Sequence, residues 1–393
     1  MKKLTTSLFT VFALYNSMEA QSFIQAYQDR ANQVTQSNIT TYLQQFQNLG
    51  VKTTGSSNNV ATRNWIKNKY LSYGYSSSQI QEDSFNIGSV SSKNLIITKT
   101  GTVYPDKYVI ICGHFDSIYG PGVSDNGSGT SIIMEAARIL RNVPTEYSIK
   151  FIHFSGEEQG LYGSKHYVNN VAYQNGVRKL DIKLVFNIDQ VGGELGNNNT
   201  VIFCDQDMGS PSSNNAASQA VTQQLATCTT LYSPLQTDID PAYASDYMPF
   251  EDKGEVITGF YEYTRSYNEH SSSDTFANID PVYVYNVGKA TVGALQHFAV
   301  ALENNMLDTK EESTQNSLEN IKIYPNPVKD LLNIELPHKV NDFTFEITDL
   351  LGHSLIKEKN VTQINTSKLI NGAYIGILKS NDQTIVRKIL IEK

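Results

Sequence analysis

Cysteine is scarce: Cys112, Cys204 and Cys228 are the only three thiols among 393 residues. An odd count leaves at most one internal bridge, which argues against a disulfide-built scaffold. A Cys204–Cys228 pairing stays open, whereas Cys112 lies in the apolar run 108–112 and reads as a small buried hydrophobe. There is no Cys-x-x-Cys pair, so zinc held by thiolates is not expected. Positive charge is also in deficit, 31 Lys and Arg against 39 Asp and Glu, for a net charge of −8. That balance speaks against nucleic acid as a partner and against electrostatic docking to an anionic membrane. No run of about 18 apolar residues occurs, so no transmembrane segment is expected. Asn126-Gly127-Ser128-Gly129 lacks the lysine of a phosphate loop, and no G-x-S-x-G nucleophile elbow is present.

What is there suffices for a large core. Hydrophobic residues make up 40% of the chain, which rules out global disorder. Residues 1–22 read as a signal peptide: Lys2 and Lys3 precede a mostly apolar stretch over 4–15, with small residues Ala20 and Ser22 near its end. The chain is therefore expected to leave the cytoplasm. Residues 23–303 form the larger unit, 304–319 a polar and charged linker, and 320–393 a run of short alternating segments punctuated by Pro325, Pro327, Gly352 and Gly372. That last pattern predicts a small all-β sandwich.

In the larger unit, short β-rich runs at 107–113, 148–154, 183–189 and 255–263 alternate with helical patterns. The apolar spacing over 128–140 is helical, and 282–303 suits a closing helix. The expected fold class is α/β, with a mostly parallel central sheet and helices on both faces. In such sheets chemistry sits on loops after the C-terminal strand ends. Four ends here carry ligand-type residues: His114 and Asp116, followed by Asp125; Glu157 and Glu158; Asp189; and His270 with Asp274. Two imidazoles and three carboxylates, His114, Asp125, Glu158, Asp189 and His270, suit zinc. If one carboxylate bridges, they give three ligands to each of two metals and leave open positions for water and substrate. Asp116 can orient the His114 imidazole, and Asp274 can support His270.

The segments GHFDS, SDNGSG, GEEQGLYGS, NIDQVG and HSSSD, in this order, resemble the co-catalytic zinc aminopeptidases typified by bacterial leucyl aminopeptidase, a clan that includes glutaminyl cyclases. The resemblance covers about residues 30–302. It implies two Zn2+ per chain: His114 and Asp189 on one, Glu158 and His270 on the other, and Asp125 bridging. Glu157 would be the general base toward a zinc-activated water, with Asp116 beside it as a further catalytic residue. Peptide or protein N-termini would be the substrates. A glutaminyl-cyclase-like enzyme with one zinc is the alternative within the clan, and an inactive surface-binding protein the alternative outside it. Where the family often shows Ser-Asp-His-x-x-Phe, this chain has Ser245-Asp246-Tyr247-Met248-Pro249-Phe250, and Tyr243 nearby is a candidate for stabilising the tetrahedral intermediate. The segments IYPNPVKDLLNIEL, NGAYIG and VRKILIEK resemble the C-terminal sorting domain of the type IX secretion system. That likeness implies the type IX machinery as a partner. It also implies a secreted or outer-surface location, reached by signal-peptide export through the periplasm.

Overall fold

The computed structural model describes residues 22–302, 322–336, 342–349, 353–380 and 383–393. The expected linker, and all of the expected signal peptide but Ser22, lie outside the described residues. The chain divides into two compact units, Met1–Leu307 and Asp308–Lys393.

The first unit opens with helices α1 (Gln25–Ala31), α2 (Gln36–Asn48) and α3 (Ser57–Ser72), followed by a hairpin of β1 (Ile80–Ile87) and β2 (Val90–Lys99). Next come β3 (Tyr104–His114), α4 (Gly129–Leu140), β4 (Tyr147–Phe154), α5 (Tyr162–Tyr167) and a two-residue hairpin, β5 (Tyr173–Gln174) and β6 (Val177–Arg178). The unit continues through β7 (Asp181–Ile188), β8 (Val201–Gln206), α6 (Asn215–Tyr232), β9 (Gln236–Pro241), α7 (Met248–Glu251), β10 (Ile257–Glu262) and α8 (Pro281–Phe298). Eight strands form one sheet in the order β1-β2-β4-β3-β7-β10-β8-β9. Its centre, β4-β3-β7-β10, is parallel throughout, and the antiparallel pairs β2-β4 and β10-β8 join the flanks to it.

Both faces of the centre are covered, as near-continuous apolar strands require. Along β3, Val109 and Ile111 point into the larger core with Ile132, Ala136, Val287 and Leu295 from α4 and α8. Ile110 and Cys112 point the other way, toward Tyr167 of α5 and Phe250 of α7. Alternation of side chains along a strand sends neighbours to opposite cores. Helix α4 starts against the sheet: a Cβ on Gly129 would stand 2.3 Å from the carbonyl oxygen of Ile188, so only glycine permits that approach. Helix α8 begins where Asp280 accepts hydrogen bonds from the amides of Val282 and Tyr283, with Pro281 at the first helical position. It is shorter than the 282–303 expected. The chain turns at Val300, with φ +51°, and Ala301 bridges to Thr145.

All three cysteines are buried and free, so Cys204 and Cys228 are unbridged.

The second unit is all β. The sheet β11-β12-β15 combines Lys322–Tyr324, Leu331–Glu335 and Gln363–Asn365. The sheet β14-β13-β16-β17 combines Ser354–Lys359, Thr344–Thr348, Gly372–Ser380 and Gln383–Ile391. Every pairing within them is antiparallel, and one core holds Leu332 and Ile364 of the first sheet with Phe345 and Leu378 of the second.

Candidate metal centre

The parallel strands deliver their polar ends to one place. His114 closes β3, Glu157 and Glu158 follow β4, Asp189 follows β7, and His270 lies in the loop after β10. Asp125 sits between β3 and α4 and connects the two halves. One carboxylate oxygen of Asp125 is 3.1 Å from His114 Nε2, and the other is 3.1 Å from His270 Nε2. His114 Nε2 is also 3.1 Å from Asp189 Oδ1, and His270 Nε2 is 2.9 Å from Glu158 Oε2. Two trios therefore meet at Asp125: His114, Asp125 and Asp189, and Asp125, Glu158 and His270. Within each trio the potential ligand atoms lie within 4.8 Å of one another. All five expected ligand-type residues are brought together. Glu157 belongs to neither trio and instead lines the cavity beside them.

The local electrostatics follow from burial of like charges. Burial works against a charged His114, yet Asp189 and Asp125 push its pKa well above the ordinary histidine range. The hydrogen bond that His270 donates to Asp125 comes first in raising its pKa to about 9. Burial and then Asp125 raise Glu158 to about 8, and burial holds the Glu157 carboxyl well above its usual range. Asp125 moves the other way: both imidazoles hold it down against its burial. Such a cluster attracts positive charge, with oxygen and imidazole nitrogen as the donors offered.

The supporting residues differ in part from the sequence reading. It is the backbone carbonyl of Asp116 that faces His114 Nδ1, at 3.2 Å, while the Asp116 carboxylate lies 3.7 Å from that nitrogen. The carboxylate accepts hydrogen bonds at 3.3 Å from both the Glu157 and Glu158 amides and at 3.2 Å from Thr54 Oγ1. Asp116 thus pins the loop that carries both glutamates. Asp274 accepts from the amides of Ser124 and Asp125, at 2.6 and 3.0 Å, so it holds the bridging aspartate's backbone instead of His270. Sequence reasoning did not single out Asn187, whose amide donates to Ser245 Oγ, which in turn donates to Asp189 Oδ2 at 2.6 Å. It also passed over Lys52, fully buried, whose ammonium donates to the carbonyls of Gly50 and Pro121 and is lowered to about 7 by burial. Ser245 stood in a quoted motif, but nothing in the sequence around Lys52 signals its place.

Tyr247, the departure from the family pattern, is wholly buried. Its hydroxyl donates to Asp205 Oδ2 at 3.1 Å and accepts from the Tyr243 amide at 2.8 Å. It thereby fixes the backbone of Tyr243, whose own hydroxyl is buried without a hydrogen-bond partner beside the centre. The cavity there measures about 310 Å³ and is bounded by Asp125, Glu157, Asp189 and His270 on one side and by Gln190, Tyr243 and Tyr261 on the other. Arg265 and Glu269 pair at its mouth.

Comparison with known proteins agrees with this architecture. LapA aminopeptidase of Legionella pneumophila superposes with a TM-score of 0.62 at 22% identity, covering 77% of this chain and 81% of that one. A glutaminyl cyclase of Macrostomum lignano gives a TM-score of 0.61 at 16% identity, covering 75% and 97%. At such identities the likeness is one of fold. In sequence, aminopeptidase YwaD of Bacillus subtilis is 40% identical over 104 residues, 26% of this chain. An aminopeptidase of Pseudomonas aeruginosa is 36% identical over 98 residues, 25% of this chain. The chain spans about a fifth of the length of these curated relatives, 22% and 18%. Residues 322–392 match the secretion system C-terminal sorting domain. Residues 94–294, just over half of the chain and including every member of both trios, match Peptidase family M28, and the chain belongs to that family.

Proposed function

We propose that this chain is a secreted zinc aminopeptidase that uses two metal ions. The observation that carries the reading is Asp125, with one oxygen toward each histidine and a further carboxylate facing each of them. The donor set fits zinc: imidazoles and carboxylates with no thiolate, buried in the first trio and opening toward solvent at His270 in the second. His114 and Asp189 would hold one ion, Glu158 and His270 the other, and Asp125 both. When bound, zinc supplies a Lewis acid for the scissile carbonyl and lowers the pKa of water toward about 7.

The chain's own residues do the rest. Glu157 lines the cavity as a buried carboxyl with a raised pKa, suited to accept the proton of the attacking water and return it to the leaving amine. Asp116 holds the Glu157 backbone so that this carboxyl stays in place. The free Tyr243 hydroxyl is a donor for the oxyanion of the tetrahedral intermediate. A cavity of about 310 Å³ lined in part by Tyr243 and Tyr261 suits a small terminal residue of a peptide. The similarity of 322–392 to a sorting domain supports export by a type IX secretion system, with the enzyme acting outside the cell.

Hydrolysis of aminoacyl-nitroanilides, followed through chelation and zinc return with elemental analysis, tests the reading. Activity should vanish with the metal and recover at two zinc ions per chain. Full activity in metal-free protein would overturn it. One zinc per chain together with cyclisation of N-terminal glutamine would identify a cyclase instead.

A further inference from the structure

A second cluster of oxygen donors lies apart from the residues of the zinc centre, where the loop after β8 meets the end of α7. Asp207, Asn214 and Glu251 are 1%, 4% and 2% exposed. Asp207 Oδ1 accepts from the Gly209 amide at 2.8 Å, and Oδ2 accepts from Asn214 Nδ2 at 2.7 Å. Asn214 Nδ2 donates as well to the Glu255 carbonyl at 2.8 Å. Both of these neighbours are acceptors, which fixes the orientation of the amide. Asn214 Oδ1 is left buried without a partner, and so is Glu251 Oε1.

The Asp207 and Glu251 carboxylates face each other within hydrogen-bonding reach, and the charged groups that act on Glu251, Asp207 and Asp252, are both acidic. Burial, with Asp207 next, raises Glu251 to about 7. Gly209 keeps the space between them open: a Cβ there would stand 2.8 Å from Glu251 Oε1 and 3.4 Å from Asp207 Oδ1. Buried acceptors left unpaired cost about 1–3 kcal/mol each, so the unpaired Asn214 Oδ1 and Glu251 Oε1, together with the Asp207 carboxylate that faces Glu251, mark a place for a cation.

We propose that Asp207 and Glu251, with the carboxamide oxygen of Asn214, bind a calcium ion. Every donor is a hard oxygen, which favours calcium over zinc. A set with only two carboxylates belongs to the weak class of sites, with a dissociation constant of about 10⁻⁴–10⁻³ M, matched to an extracellular setting. Equilibrium dialysis of the full, zinc-loaded chain against calcium chloride tests this. One calcium per chain should be retained at millimolar concentration, with an upward shift in Tm that magnesium chloride does not reproduce. Glu251→Gln removes a charge, and Gly209→Ala fills the space between the carboxylates; each should abolish calcium retention and the Tm shift. Both should leave calcium-free nitroanilide turnover as in the wild type. Should the zinc-loaded wild type retain no calcium, the two carboxylates share a proton and the proposal fails. It fails equally if a folded Glu251→Gln or Gly209→Ala variant retains calcium like the wild type. Calcium content is read independently of activity, so this outcome stands apart from that of the zinc reading.

Discussion

Two adjacent glutamates stand in different places. Glu158 is one of the second trio, whereas Glu157 faces the cavity. Replacing Glu157 with Gln keeps its shape and removes a basic group, so zinc content should hold while kcat falls by about 10²–10⁴-fold. Replacing Glu158 with Gln removes a proposed ligand, so on the proposed function zinc and activity should fall together. Elemental analysis beside steady-state kinetics decides between these roles, and zinc loss in Glu157→Gln alone would reverse them. Two buried histidines outside both trios work against stability in acid. His153 is fully buried on the Tyr70 hydroxyl, and burial lowers its pKa to about 3; burial also lowers His297 to about 4. Below about pH 6.5 the unfolded chain takes up protons that the folded chain refuses, so stability falls as pH drops from there toward 3–4. Urea unfolding across that window should show His153→Phe with a shallower slope, by up to about 1.4 kcal/mol per pH unit. His114 and Asp189 could be read from the sequence because each sits where an apolar strand run stops, and Asp125, Glu158 and His270 because each stands in a polar motif of the loop that follows such a run. The partner choices of Asp116 and Asp274 could not, because they depend on which backbone amides the folded loops present.

At the scale of elements, the central strands were legible and the flanks were not. β3, β4, β7 and β10 are covered on both faces and so are written as apolar runs. β1, which alternates, and β9, which is mostly exposed, carry no such signature, and they are the two edges of the eight-stranded sheet. The turn after β4 depends on Gly156, with φ +80°, and on Asp116 as its anchor. Asp116→Ala leaves two backbone amides and the Thr54 hydroxyl without their acceptor. It should lower stability by about 1–3 kcal/mol and activity by about 10–100-fold, read from thermal melts and from kcat at saturating zinc. A variant as stable and active as the wild type would show that the turn holds itself.

For the whole molecule, each of the two units has its own core, and no member of the trios lies beyond residue 270. A chain ending at residue 303 should therefore fold and hydrolyse nitroanilides with unchanged kcat, yet stay inside a host that exports the full chain. A truncated chain that is folded but inactive would show that the second unit contributes to catalysis. Composition changes near residue 303 and the chain divides at Leu307/Asp308, while the strand β15, only three residues long, is what the pattern of the second unit concealed.

The bridging position of Asp125 has a further consequence in time. Its partners arrive from strand ends that are neighbours only once β4, β3, β7 and β10 have paired, with His270 contributed after the last of them. The two trios together draw on residues from His114 to His270, so a chain whose sheet is incomplete would hold no complete site of the proposed kind. On the proposed function, metal uptake would require the completed sheet, and hydrolysis would follow only after folding.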